Sequence, residues 1–263
     1  QTEGILRNSK TLVSILKAYS SIGSIGKSQE VHCEVIHKGW EGDILATSTL
    51  VHTYAKCGSC EEAKYVFDEL LVRDEVCWNV VLAAYAQVGE SQTVFQLFDV
   101  MLEESRRPDI VTFISVLNAC SHAGEVAKGE RHFEAIEEYG MFPTAEHYAC
   151  VIDLLGRSGC IDKMIVMLNN MPVLPSKMMW LTMLGACRKW GYVKFGRCAF
   201  KHVVQLDAKD GSAYICMANI YSEAELQDEA MRIQTMGVQN EAWLKSGQNV
   251  TDISLQCFAF LLE

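Results

Sequence analysis

Six glycines, Gly23, Gly58, Gly89, Gly124, Gly159 and Gly191, recur at spacings of 35, 31, 35, 35 and 32 residues. A period in that range belongs to stacked helical hairpins, and it constrains this chain more tightly than any other feature. The glycines carry columns with them. Four residues before each stands Tyr19, Tyr54, Tyr85, Cys120, Leu155 or Cys187, and Tyr221 continues the column where the glycine is lost. Nine residues after them come His32, Phe67, Phe98, Phe133, Leu168 and Phe200. Within one repeat the spacing is helical: Trp78, Val81, Leu82 and Tyr85 recur at i, i+3, i+4 and i+7, and Val94, Leu97, Phe98 and Met101 do so again beyond Gly89. Gly89 separates the two stripes as a helix–helix turn requires. Pro108, Pro143 and Pro175 fall between repeats, where a proline ends one helix and lets the next begin. A single hairpin cannot bury its apolar face, so neighbours must stack into a continuous core. The expected fold class is therefore all-α, an α-solenoid of helix–turn–helix repeats.

Composition narrows the partners. Acidic residues outnumber basic ones 33 to 23, a formal charge of −10, which disfavours indiscriminate polyanion binding. A base-reading surface that is locally neutral or basic is compatible with it. The longest apolar stretches fall far short of the roughly 20 residues that cross a bilayer, so no membrane span is expected. The 11 cysteines do not have the spacing of a small disulfide scaffold, and no signal peptide opens the chain. Cys33, Cys120, Cys150, Cys187 and Cys216 sit among apolar neighbours, as reduced, buried thiols do.

Several strings are specific enough to carry a family resemblance. Thr53-Tyr54-Ala55-Lys56-Cys57-Gly58-Ser59, then Val66-Phe67-Asp68 and Val76-Cys77-Trp78-Asn79-Val80-Val81, resemble a plant pentatricopeptide-repeat protein. The unequal repeat lengths resemble the class that rotates long, short and standard repeats (PLS class). The run Val111–Gly124 is similar to its last long repeat and Glu146–Gly159 to its last short one. Trp180–Arg188 and Tyr214–Tyr221 resemble the two extension (E) motifs that follow. The resemblance covers about residues 1 to 236. It weakens after Asp210, where Glu225 and Gln227 replace the family's usual glycine and tryptophan.

The resemblance implies a right-handed solenoid with repeats at 9–43 (long), 44–74 (short), 75–109 (standard), 110–144 (long) and 145–176 (short). Extension motifs then occupy 177–210 and 211–240. Residues 1–8 read as the tail of a truncated repeat and 241–263 as an unassigned tail, with an organelle-targeting peptide expected upstream. It further implies binding of single-stranded RNA in a mitochondrion or chloroplast, one base per repeat. The fifth and last residues of a repeat meet the base edge, which transfers to Asn79 with Asp109 for uracil and Ser48 with Asp74 for guanine. The second residues, Leu45, Val76 and Val111, are the base-stacking candidates. The expected ligand is guanine followed by uracil, opposite residues 44–109. Recruitment of a cytidine deaminase through 177–240 is implied as well, with no catalytic residue, metal or cofactor in this chain.

Plainer readings stand beside these. Ser48 and Asn79 also read as exposed polar residues near helix starts, and Asp74 and Asp109 as helix N-caps. Leu45, Val76 and Val111 also read as packing residues. Asp43 and Thr144 close repeats whose fifth residues, Val13 and Ile114, have no hydrogen-bonding group. His32-Cys33-Glu34 with Cys57-Gly58-Ser59-Cys60 imitates a zinc deaminase, but the repeat columns already account for His32, Cys57 and Cys60. A helical scaffold for other proteins, which the acidic balance favours, and a truncated non-functional copy are the rival functions.

Overall fold

The computed structural model describes residues 9–40, 42–70 and 73–240; the expected tails at 1–8 and 241–263 lie outside the described residues. Among the described residues there are fourteen helices and no strand: α1 (Ser9–Ile22), α2 (Ile25–His37), α3 (Ile44–Lys56), α4 (Cys60–Asp68), α5 (Glu75–Val88), α6 (Ser91–Glu103), α7 (Ile110–Ala123), α8 (Val126–Glu138), α9 (Ala145–Arg157), α10 (Ile161–Asn170), α11 (Lys177–Trp190), α12 (Val193–Leu206), α13 (Gly211–Glu223) and α14 (Gln227–Gln239). Consecutive helices pair into antiparallel hairpins. The hairpins belong to two compact units, one ending at Pro143 and the other beginning at Thr144.

The turns explain the glycine period. Gly23, Gly58, Gly89, Gly124, Gly159 and Gly191 all have φ between +66° and +83°, the left-handed region that closes a helix and that side chains with a Cβ resist. Where the glycine is lost, Glu225 takes the same conformation at φ +62°. The turn holds its left-handed conformation there without the residue that meets it most easily.

In the first unit α1, α3, α5 and α7 pack side by side, and α2, α4 and α6 each cover the first helix of the next hairpin. Aromatic pairs from adjacent hairpins fill the seams. Phe67 of α4 meets Trp78 of α5 edge to face at 4.7 Å, and Phe98 of α6 meets Phe113 of α7 at 6.1 Å. Polar contacts fix the register: Tyr85 Oη donates to the Cys60 carbonyl (3.1 Å) and Ser91 Oγ to the Ala119 carbonyl (2.9 Å). Arg73 closes α4, its guanidinium donating to the Phe67 and Asp68 carbonyls, covering the Phe67 ring and pairing with Glu104. Arg107 likewise donates to the Tyr139 carbonyl at the end of α8.

The second unit repeats the layering, with α9, α11 and α13 adjacent and α10 and α12 covering α11 and α13. Phe200 meets Tyr214 at 5.2 Å in the place that Phe67 and Trp78 hold in the first unit. Trp180 differs from Trp78: it is half-buried and stacks flat on His202 at 4.0 Å, whereas Trp78 is fully buried. Close approach explains two further glycines. A Cβ on Gly156 would lie 2.5 Å from Met164, and one on Gly196 would lie 2.9 Å from Ile220.

The cysteine expectation needs correction. Cys120, Cys150 and Cys187 are buried, Cys216 is half-buried, and Cys33 is exposed. The apolar neighbours of Cys33 in sequence lie on other faces of α2, where Val31 and Val35 point inward. Burial pushes the Cys120 thiol up to about 11 and the Cys150 and Cys187 thiols up to about 12, so all three stay protonated. No helix among the described residues is long and apolar enough to cross a membrane.

Candidate nucleic-acid interface

The N-terminal ends of α3, α5 and α7 lie on adjacent helices, so their first turns present one line of side chains. Each of these helices begins behind an aspartate. Asp43 accepts from the Leu45 and Ala46 amides, Asp74 from the Cys77 amide (2.8 Å) and Asp109 from the Thr112 amide (2.8 Å). Capping satisfies amides that a helix start otherwise leaves without partners. The N-cap reading of Asp74 and Asp109 is therefore correct as structure.

Asp109 does more than cap. Its Oδ2 accepts from Asn79 Nδ2 at 2.8 Å, a contact that joins α5 to the start of α7. Thr112 Oγ1 donates to Asn79 Oδ1 at 2.7 Å. A carboxylate can only accept, so the amide nitrogen must face Asp109 and the amide oxygen must face Thr112. One N–H and one lone pair of Asn79 are left over. Asn79 is half-buried, so this donor and acceptor sit at the edge of the surface, neither sealed in the core nor free to swing.

Ser48 and Asp74 form the neighbouring pair. The Ser48 hydroxyl donates its proton to the Ile44 carbonyl of its own helix, which leaves its oxygen as an acceptor. The Cys77 thiol lies against both residues; burial first, then the Asp74 carboxylate, pushes it up to about 12, so it remains S–H. The structure thus brings Asn79 together with Asp109, and Ser48 near Asp74 across Cys77.

Leu45, Val76 and Val111 are 52%, 60% and 47% exposed. Those figures decide against the packing reading, since core residues of the same helices, such as Leu50, Val81 and Val116, are fully buried. Each candidate sits second in its helix, one turn from the polar pair. A row of exposed apolar side chains beside fixed polar groups suits flat, hydrogen-bonding ligands.

The other helix starts are chemically different. Asp210 caps α13 through the Ser212 amide and is paired with Lys177 at 2.7 Å, while the residue in Asn79's position is Leu181. Burial works against the Asp210 carboxylate, yet its bonds from Lys177 and Ser212 hold it below the usual range. No free amide edge remains there. Around the deaminase-like motif, His32 Nδ1 lies 3.1 Å from Tyr54 Oη. Cys57 and Cys60 are half-buried free thiols, and no three metal-ligating side chains converge among the described residues. Sequence reasoning missed Thr112. Its spacing from Asp109 signals a capping box, but its reach to Asn79, 33 residues back, has no local signature.

Comparison with known proteins fits this geometry. Residues 73–122 match the model of the PPR repeat family, and residues 46–74, 111–141 and 146–174 match the PPR repeat. These residues carry pentatricopeptide repeats. Among curated relatives, the chloroplastic pentatricopeptide repeat-containing protein CRR2 of Arabidopsis thaliana is 35% identical over 90% of this chain and 36% of its own length. A mitochondrial pentatricopeptide repeat-containing protein of the same plant is 32% identical over 98% of this chain and 41% of its own length. The chain thus spans about a third of the length of the curated relatives it matches. The crystal structure of the maize pentatricopeptide repeat protein PPR10 in complex with an 18-nucleotide psaJ RNA element superposes with a TM-score of 0.75 at 20% identity. That match covers 91% of this chain and 36% of PPR10, and it establishes the helical-repeat solenoid as the fold class.

Proposed function

We propose that this chain is a sequence-specific single-stranded RNA-binding segment of an organellar pentatricopeptide-repeat protein. One observation carries the reading: the Asn79 amide is held in one orientation between Asp109 and Thr112, with a donor and an acceptor left at the surface. Uracil offers a carbonyl acceptor beside an N–H donor on its Watson–Crick edge, the complement of that pair. Cytosine offers the reverse, and a fixed amide cannot turn to meet it. Ser48 and Asp74 present acceptors, which suit the two adjacent donors of guanine. Leu45, Val76 and Val111 supply apolar surface for base faces. The proposed ligand is guanine followed by uracil opposite residues 44–109, read within repeats at 44–74 and 75–109. Support for RNA as the partner comes from the RNA-bound PPR10 structure, and for an organelle from the chloroplastic and mitochondrial relatives.

The finer role is recognition without catalysis, as a site-selection factor for cytidine-to-uridine editing. Residues 177–240 then serve as the contact for a separate deaminase. The Lys177–Asp210 pair and Leu181 support that division, because they leave the 177–210 hairpin with no amide edge to read a base. A protein scaffold is the second reading, favoured by the net charge of −10. Binding to RNAs that differ only at the uracil separates the two. Asn79→Ala must abolish the preference for uracil and leave the helical content unchanged; equal losses on every sequence refute base reading.

A further inference from the structure

We propose that Thr112 is a positioning residue for base selection at Asn79, so that each reading element is completed by the repeat that follows it. The inference rests on the base-reading role of Asn79. Thr112 is the third residue of α7, and Asn79 is the fifth residue of α5. Its hydroxyl accepts from the Asp109 amide at 3.1 Å. The single hydroxyl proton then has two acceptors in reach, Asn79 Oδ1 at 2.7 Å and Asp109 Oδ1 at 2.9 Å. Asp109 Oδ1 already receives the Thr112 amide, and Asn79 Oδ1 is the nearer.

The consequence is geometric. Held by Asp109 alone, the Asn79 amide has one anchor and can rotate about it, sweeping its free N–H and lone pair through different directions. A second anchor on the oxygen fixes the plane. Fixed donors and acceptors discriminate between ligands because a mismatched base leaves them without partners, whereas mobile ones adjust. Thr112 is buried, so its hydroxyl has no other role at the surface and meets no base itself.

Corresponding positions on the neighbouring helices show what is particular about Thr112. The third residue of α3 is Ala46, behind a repeat whose fifth residue is Val13, and neither side chain can hydrogen-bond. The third residue of α5 is Cys77, a weak donor that lies against Ser48 and Asp74. Across α3, α5 and α7 the third residue gains hydrogen-bonding capacity together with the fifth residue one hairpin earlier; on α9 the third residue, His147, follows the apolar Ile114 and serves the Thr144 cap instead. Thr112 joins the strongest donor to the residue that most needs orienting.

The test measures the ratio of affinities for uracil and cytosine RNAs that differ only opposite Asn79, with the whole chain. The same is done for Thr112→Val, Thr112→Ser and Asn79→Ala, and circular dichroism melts confirm that each is folded. The wild-type ratio is expected at about tenfold or more. Thr112→Val is expected to lower it three- to tenfold while leaving guanine preference opposite Ser48 unchanged, and Thr112→Ser to keep it. Equal weakening by Thr112→Val for all bases, or an unchanged ratio, overturns the proposal while leaving the Asn79 reading intact. A wild-type chain with no uracil preference overturns both. If Thr112→Val does not fold, Thr112→Ser against Thr112→Ala supplies the same comparison.

Discussion

Replacing Glu225 by glycine should stabilise the last hairpin, and the size of the gain follows from the turns beside it. Glu225 holds φ +62° after the end of α13, where six earlier turns place glycine at +66° to +83°. A residue with a Cβ pays about 1–2 kcal/mol in that region. Glycine removes that cost but gives back roughly 0.5–1 kcal/mol through the larger freedom of the unfolded chain. The Glu225 side chain is exposed and forms no ion pair among the described residues, so its loss costs little else. The net expectation is a gain of about 0.5–1 kcal/mol. Gly191→Ala is the reciprocal control in the same unit. Its φ is +75° and no atom lies within 4 Å of the added Cβ, so its cost of about 1 kcal/mol is purely conformational. Hairpin arrays open locally, so the assay is native-state hydrogen exchange of α13 and α14 amides rather than a single melting point. A neutral or destabilising Glu225→Gly beside a costly Gly191→Ala would refute the reasoning that backbone conformation governs this turn.

Three further outcomes follow. Gly159→Ala should cost more than Gly191→Ala, by at least 1 kcal/mol as for overpacking, because its Cβ meets the Trp190 ring at 3.0 Å in addition to the strained φ; comparative urea melts check this. Burial, then Lys128 and Arg131, lower the His132 pKa to about 4, with Asp99 opposing. Unfolded His132 takes up a proton near 6.5 and the folded side chain does not, so its contribution is complete above 6.5 and is lost as pH falls from 6.5 to 4. The loss amounts to at most about 3 kcal/mol and less with solvent screening; His132→Gln should flatten that part of the stability–pH curve. Val76→Ala should change stability by only about 0.5 kcal/mol, as exposed substitutions do, while weakening RNA binding in a filter or anisotropy assay.

The period and the columns made the hairpins legible because each marks a physical necessity. Glycine is favoured where φ turns positive, and aromatic side chains such as Phe67 and Trp78 fill the seam where one hairpin seals against the next. Glu225 shows the limit of that logic, since the conformation persists after the residue signal is gone. The candidate interface was legible where repeat register alone places a residue, as for Asn79 and Asp109. It was not legible where the proposed role depends on a hydrogen bond between repeats, as for Thr112; in the fold, sequence neighbours likewise did not tell which face of its helix Cys33 occupies. Apolar character alone could not separate Val76 at the surface from Val81 in the core; only their helical phase does.

Equilibrium binding of the whole chain to short RNAs that vary at two adjacent bases, titrated over salt, tests the central claim most directly. The account predicts tightest binding to guanine–uracil and, for Asp109→Ser, a shift of the second base from uracil toward cytosine as the Asn79 amide loses its carboxylate anchor. Binding by the folded chain that is indifferent to both bases, or an Asp109→Ser variant that still prefers uracil, would contradict it.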